Sequence, residues 1–160
     1  PLSFDPDELE ALILGTRIVA ARADPELAAA ARRASAKIAH VLDKAARSTR
    51  VPLHAARQPR PTSSEETRVL RLVRHAIRNR QILHAVYRDS NERTTERRLH
   101  PVGLTAFDTT WLVTAWCEVR DDFRSFRLDR FISLQATGEH FRDEPGKSFE
   151  DFLARMNMTL

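Results

Sequence analysis

Glycine is scarce in this chain, with four in 160 residues at positions 15, 103, 138 and 146, none of them clustered. A G-x-G-x-x-G turn or a P-loop needs several glycines close together, so neither phosphate cradle is available. Cysteine is scarcer still. A lone Cys117 excludes a disulfide framework and any multi-thiolate zinc or iron–sulfur site. No apolar run approaches the ~20 residues that span a bilayer, and no signal-peptide pattern opens the sequence. These absences lead us to expect a soluble, cytoplasmic protein with no membrane partner. The first residue is Pro1 rather than an initiator Met, so the chain reads as part of a longer polypeptide.

Lysine is the other shortage. It occurs only at 37, 44 and 147, so 23 of the 26 cations are arginine. The planar guanidinium fork suits phosphate and carboxylate and stacks on bases, which fits a nucleic-acid or nucleotide partner. Abundant Arg and Ala with little Lys also mark a GC-rich genome, so composition alone does not decide. The distribution says more. Residues 61–100 hold nine Arg against five acids, whereas residues 137–160 carry three basic and five acidic side chains. A concentrated positive segment is an electrostatic footprint.

Residues that would carry catalysis are missing. The six histidines (40, 54, 75, 84, 100, 140) form no i,i+4 pair. No Ser lies in a G-x-S-x-G elbow, and Cys117 sits in apolar company, where a small buried thiol is the default. We expect no enzyme, no metal and no cofactor.

Three zones follow one another. Residues 1 to about 44 read as two antiparallel helices. Asp5-Pro6-Asp7-Glu8 supplies an N-cap, a Pro at the first helical position and a Glu at the third. Apolar residues then fall on two sides (Leu9, Leu12, Ile13; Leu14, Ile18), so this helix needs two partners. Asp24-Pro25-Glu26 repeats the cap, and Leu27, Ala31, Ala34, Ile38 and Val41 follow at helical spacing. Residues 45–62 read as a connector, with Val51 to Ala55 as a short edge strand and a domain boundary at 61/62.

The third zone opens with a helix capped by Ser63 or Ser64, with Val69, Leu70, Val73 and Ile77 on its buried face. Its arginines fit an ordinary solvated stripe. From Ile82 the period changes to two. Strands are expected over 82–87, 93–100, 111–119, 123–128 and 132–137, with Pro101-Val102-Gly103 ending the second. Residues 148–156 close the chain as a short helix that docks through Phe149, Phe152 and Leu153. The fold class is therefore α+β: an N-terminal helical pair, then a helix-capped five-stranded SH3-like or Sm-like β-barrel.

The segment from Trp111 to Phe131 is the most informative. Alternation puts Trp111, Val113, Ala115, Cys117 and Val119 on a core-like face, opposite Leu112, Thr114, Trp116, Glu118 and Arg120. The returning strand sets Phe126 and Leu128 against Ser125 and Arg127. Four arginines within eleven residues (Arg120, Arg124, Arg127, Arg130), interleaved with aromatic rings, suit a cationic groove that bases can stack in. They equally suit exposed pairs with Glu118, Asp121, Asp122 and Asp129. The residues themselves leave both readings open.

Several strings resemble WYL-domain transcriptional regulators of the YafY-like branch. They are Tyr87-Arg88, the run Arg98-Leu99-His100-Pro101-Val102-Gly103-Leu104, Trp111-Leu112-Val113 leading to Ala115-Trp116-Cys117, and Arg124-Ser125-Phe126-Arg127-Leu128-Asp129-Arg130. Leu112 stands where the family name places Tyr, which removes one hydroxyl. The resemblance implies a WYL domain over residues 62–160 and a helical linker or dimerisation region over 1–61. It further implies a nucleotide or single-stranded nucleic-acid effector, a homodimer, and operator DNA bound through a helix-turn-helix domain ahead of Pro1. Carried onto this chain, the ligand surface comprises Arg120, Arg124, Arg127 and Arg130, lined by Trp111 and Ser125, with His100 and Arg98 as outer candidates. The competing expectations are a dimerisation module with no small ligand and a stand-alone Sm-like RNA-binding protein.

Overall fold

The computed structural model describes residues 3–22, 25–45, 53–55, 64–107 and 110–157. The cap at Asp24, the Ser63 alternative and most of the expected connector lie outside them. The order is α1 (Pro6–Arg22), α2 (Pro25–Ala45), β1 (Leu53–Ala55), α3 (Ser64–Asn79), β2 (Gln81–Arg88), β3 (Thr94–Phe107), β4 (Thr110–Cys117), β5 (Asp122–Arg127), a 3-10 turn (Leu128–Arg130), β6 (Phe131–His140) and α4 (Phe149–Arg155). The fold is α+β, as the alternation of periods predicts.

Helix α1 starts where the sequence says. The Asp5 carboxylate accepts from the Glu8 amide at 2.8 Å while Glu8 accepts from the Asp5 amide at 2.7 Å, so two orphan donors are satisfied reciprocally. Its two-sided apolar character is matched by two neighbours. One side meets α2, where Ala28 and Ala31 are buried and their small size allows close approach. On the other side Leu14 packs against the sheet's core. Leu27 was expected on the packing face of α2 but stands 52% exposed, because the seam runs through Ala28 and Ala31 instead.

Five antiparallel strands run in the order β5-β4-β3-β2-β6, and β1 adds to β3 in parallel. Neither β5 nor β6 has a second strand neighbour among the described residues, so the expected barrel is not closed by a backbone ladder. Side chains bridge the gap. From β2, Tyr87 sets its ring edge-on to Phe126 of β5 (centroids 5.0 Å apart) and to Phe131 of β6 (5.2 Å). Its hydroxyl accepts from the Arg127 amide at 3.2 Å. Beneath α3, the apolar core gathers Val69, Val73 and Ile77 of the helix with Leu83, Leu99, Val113 and Leu134 of the strands.

Two expectations need correcting. Pro101-Val102-Gly103 does not end β3. The strand continues to Phe107, and its register to β4 shifts between Pro101 and Gly103, where a bulge absorbs a proline that a regular ladder would reject. Val119 was assigned to the core face of β4, yet it lies in the β4–β5 turn and is 64% exposed.

The second face of β4 is also covered, which alternation alone did not predict. Thr114 is 1% and Trp116 9% exposed. The cover is α4 and the segment before it. Phe123 sits edge-on to Trp116 at 5.2 Å and to Phe152 at 5.6 Å, and Lys147 holds its ammonium 4.7 Å above the Trp116 ring. Helix α4 begins with a full capping box, Ser148 and Asp151 each accepting the other's amide at 3.0 Å. Phe149 and Leu153 are buried, as expected of its docking face.

Candidate ligand-binding site

Two of the four candidate arginines are on the edge strand β5, and the other two are in the turns before and after it. Arg120 is in the β4–β5 turn, which closes through Asp121 at φ 47°, a left-handed conformation that Asp tolerates. Arg124 and Arg127 are on β5, and Arg130 ends the 3-10 turn. They do not share a face. Arg124 lies opposite Ala115, on the core side of the sheet, and Arg127 lies opposite Leu112, on the outer side. The two β5 arginines therefore stand on opposite faces of the edge strand.

Two of the four already hold carboxylates. Arg124 pairs with Asp122 at 2.8 Å, and Asp122 also receives Arg155 at 3.2 Å and the Phe123 amide at 2.8 Å. The Arg124 hydrogen bond is the chief reason that the Asp122 carboxyl is held below its ordinary 3.8. Arg127 grips Asp129 with both prongs, Nε to Oδ1 at 3.0 Å and Nη2 to Oδ2 at 2.7 Å. That fork, helped by the charge of Arg130, lowers the Asp129 carboxyl. Arg120 and Arg130 make no ion pair among the described residues. Ser125 is exposed, with its hydroxyl 3.1 Å from that of Thr114.

The remaining candidates lie elsewhere. Trp111 faces inward and is 7% exposed within the main core, so its ring is packing rather than an open platform. His100 lies across Trp116 from Phe123 on the outer face, stacked on Phe141 at 4.9 Å with its Nε2 2.8 Å from Glu118. Arg98 bridges Glu118 and Glu139, each at 2.9 Å. Partial burial pushes the Glu118 carboxyl up, but His100 and Arg98 outweigh it and leave it below its ordinary 4.5. His100 and Arg98 thus form their own acid-balanced network, away from the β5 edge.

Sequence reading missed the joint between α1 and the sheet domain. Glu10, 7% exposed, is gripped by Arg74 and by Arg78, the latter at 3.0 Å, and Asp7 receives both arginines at 3.0 and 2.8 Å. Arg78 keeps one buried guanidinium nitrogen, Nε, without a partner. Sixty-four residues separate Glu10 from Arg74, and no local pattern reports so distant a pairing. Among the described residues, no cluster of three or more His, Cys, Asp or Glu is arranged to hold a metal, and no helix is long and apolar enough to cross a membrane.

Residues 68–136, from α3 to β6, match the WYL domain. Within this span lie the β5 edge, Tyr87 and the Arg98–His100 network. Two relatives, each a DNA-binding transcriptional repressor CapW, one from Escherichia coli strain KTE188 and one from Escherichia coli, are 31% identical to this chain over 81 residues. The alignment covers 50% of this chain and 27% of theirs, so the chain spans about a quarter of the length of these relatives. Among solved structures, proteasome accessory factor B/C (PafBC) of Arthrobacter aurescens covers 90% of this chain and 23% of its own, with 23% identity and a TM-score of 0.48.

Proposed function

We propose that this chain is the effector-sensing region of a cytoplasmic, homodimeric DNA-binding transcription regulator, and that its WYL domain binds an anionic nucleotide or single-stranded nucleic acid along the β5 edge. The reading is supported by the WYL match and by the CapW relatives. The observation that carries it is the concentration of Arg120, Arg124, Arg127 and Arg130 on the edge strand β5 and the two turns that flank it, with two of the four unpaired among the described residues. In this reading residues 1–61 are the linker and dimerisation region, residues 62–160 the sensor, and the protein has no catalytic role.

The chemistry is an exchange of partners. Phosphate accepts the same fork that Asp122 and Asp129 now hold, and it carries charge that the unpaired Arg120 and Arg130 attract. A ligand that draws Arg127 from Asp129 also pulls on the Arg127 amide, which is bonded to Tyr87 on the strand that follows α3. From α3, Arg74 and Arg78 reach α1. The binding edge and the helical region are thereby joined through side chains that have alternative partners, the kind of element a ligand can bias.

Fluorescence anisotropy with single-stranded DNA, RNA and cyclic dinucleotides at two ionic strengths tests the proposal. Arg124→Ala with Arg127→Ala is expected to weaken single-strand binding and flatten its salt slope by about 1.4, at ~0.7 per lost phosphate contact. Unchanged affinity and slope would leave the second reading, a dimerisation module without a ligand. That reading is favoured by the carboxylate partners Arg124 and Arg127 already have.

A further inference from the structure

About half of the described surface arginines hold an acid, among them Arg68 with Glu65, Arg80 with Asp143, Arg98 with Glu118 and Glu139, and Arg155 with Asp122. Helix α2 gathers unpaired cations on one element. Arg32, Arg33, Lys37 and His40 are all exposed, and none of their side chains has a hydrogen bond or ion pair among the described residues. No Asp or Glu occurs between residues 27 and 42. Arg33 and Lys37 stand at i,i+4, where like charges destabilise a helix by a few tenths of a kcal/mol. Nothing among the described residues relieves that repulsion.

At ~100° per residue, Arg33, Lys37 and His40 fall within about 60° of one another on the helix surface, opposite the seam formed by Ala28 and Ala31. The stripe extends about 10 Å along the axis at 1.5 Å per residue, the length of roughly three phosphates on one duplex strand. Its neighbours Ala29, Ala30 and Ala36 are small. A protein interface needs large apolar or aromatic anchors at its centre, and this face offers none. Small side chains beneath a row of cations instead suit close approach to a phosphate backbone, which carries charge without apolar surface.

We infer that the outer face of α2 is a nucleic-acid contact in its own right, which grips the phosphate backbone of duplex DNA through Arg33 and Lys37, with Arg32 and His40 beside them. The inference is independent of the β5 edge. It would place helical-region contacts on the DNA in addition to those of any reading head, and they would supply affinity without sequence preference.

The test measures binding of this chain to a short duplex of arbitrary sequence across a salt series, beside poly-aspartate as an acidic-protein surrogate. Arg33→Ala with Lys37→Ala is expected to weaken duplex binding and reduce its salt slope by about 2, at ~0.9 per lost contact. Arg33→Lys with Lys37→Arg is expected to keep it. The thermal midpoint of the alanine variant should not fall, since Ala favours helix and the repulsion is gone. The β5 variant Arg124→Ala/Arg127→Ala should retain the duplex slope, which separates failure of this inference from failure of the sensor reading. A duplex slope unchanged in the α2 variant would reduce the stripe to a solvated surface. Loss of poly-aspartate binding with duplex binding intact would reassign it to an acidic protein partner. Either result overturns the inference.

Discussion

Two helices from opposite ends of the chain are fastened to the same sheet domain. Helix α4 is held by rings: Phe149 lies 1% exposed against Gly103, and Phe152 meets Phe123. Helix α1 reaches α3 through Arg74 and Arg78 to Asp7 and Glu10, with Leu14 as its apolar contact to the core. The first attachment scales mainly with apolar area, its one ion pair from Arg155 to Asp122 being exposed, and so depends little on salt. The second trades desolvation against charge, so it answers to ionic strength, pH and the loss of a single partner. The sheet with α4 is therefore the part that conditions leave in place, and the helical hairpin the part they can loosen.

The largest expected effect is on the ring-built side. Phe149→Ala removes a buried aromatic with no neighbour able to fill the space, and denaturant unfolding should show a loss of about 3–5 kcal/mol. Its size should be nearly the same at low and high salt. A strong salt dependence would erase the contrast.

Next is the ionic side. Glu10→Gln keeps the shape but takes the shared carboxylate charge away from two guanidinium groups that stay charged, and we expect a loss of about 2 kcal/mol, below the 3–5 of a fully buried pair because Arg74 keeps some exposure. Hydrogen exchange should locate that loss in α1 and α2, with the sheet amides still protected. Uniform loss across the chain would mean that hairpin and sheet unfold as one unit.

The smallest effect is the pH response of Asp7. Hydrogen bonding and charge from Arg78 hold its carboxyl below the ordinary 3.8. A value depressed in the folded state stabilises above the unfolded value, and that contribution fades as pH falls through the folded one. The protection factors of α1 amides, taken relative to the slower intrinsic exchange in acid, should therefore fall on acidification below about pH 4, and Asp7→Asn should remove that part of the response. Acidification that leaves α1 exchange unaltered would detach Asp7 from the joint.

Much of this architecture was legible in local pattern. The Asp5–Glu8 cap, the buried stripe of α3 and the docking residues of α4 follow from spacing, because each is decided within a few residues of chain. Three features were not. The continuation of β3 through Pro101 depends on a bulge, which a proline usually signals as an ending. The second buried face of β4 depends on α4 folding back from more than thirty residues away. The Glu10 grip depends on two helices meeting in space. For the site, the Arg-rich string was visible at once. That Arg124 and Arg127 straddle the strand was also implicit, since residues three apart on a strand point opposite ways. The buried place of Trp111 was legible too, since alternation sets it on the core-like face with Val113 and Ala115, and it was the resemblance alone that carried it to the ligand surface.

Where an ordinary barrel is sewn shut by a row of amide bonds, this one is buttoned by a single phenol. Between Tyr87 and the Arg127 amide there is one hydrogen bond, bedded on Phe126 and Phe131. A sewn margin parts only by unravelling, and it takes its strands with it. A buttoned one can gape and close again with every strand intact.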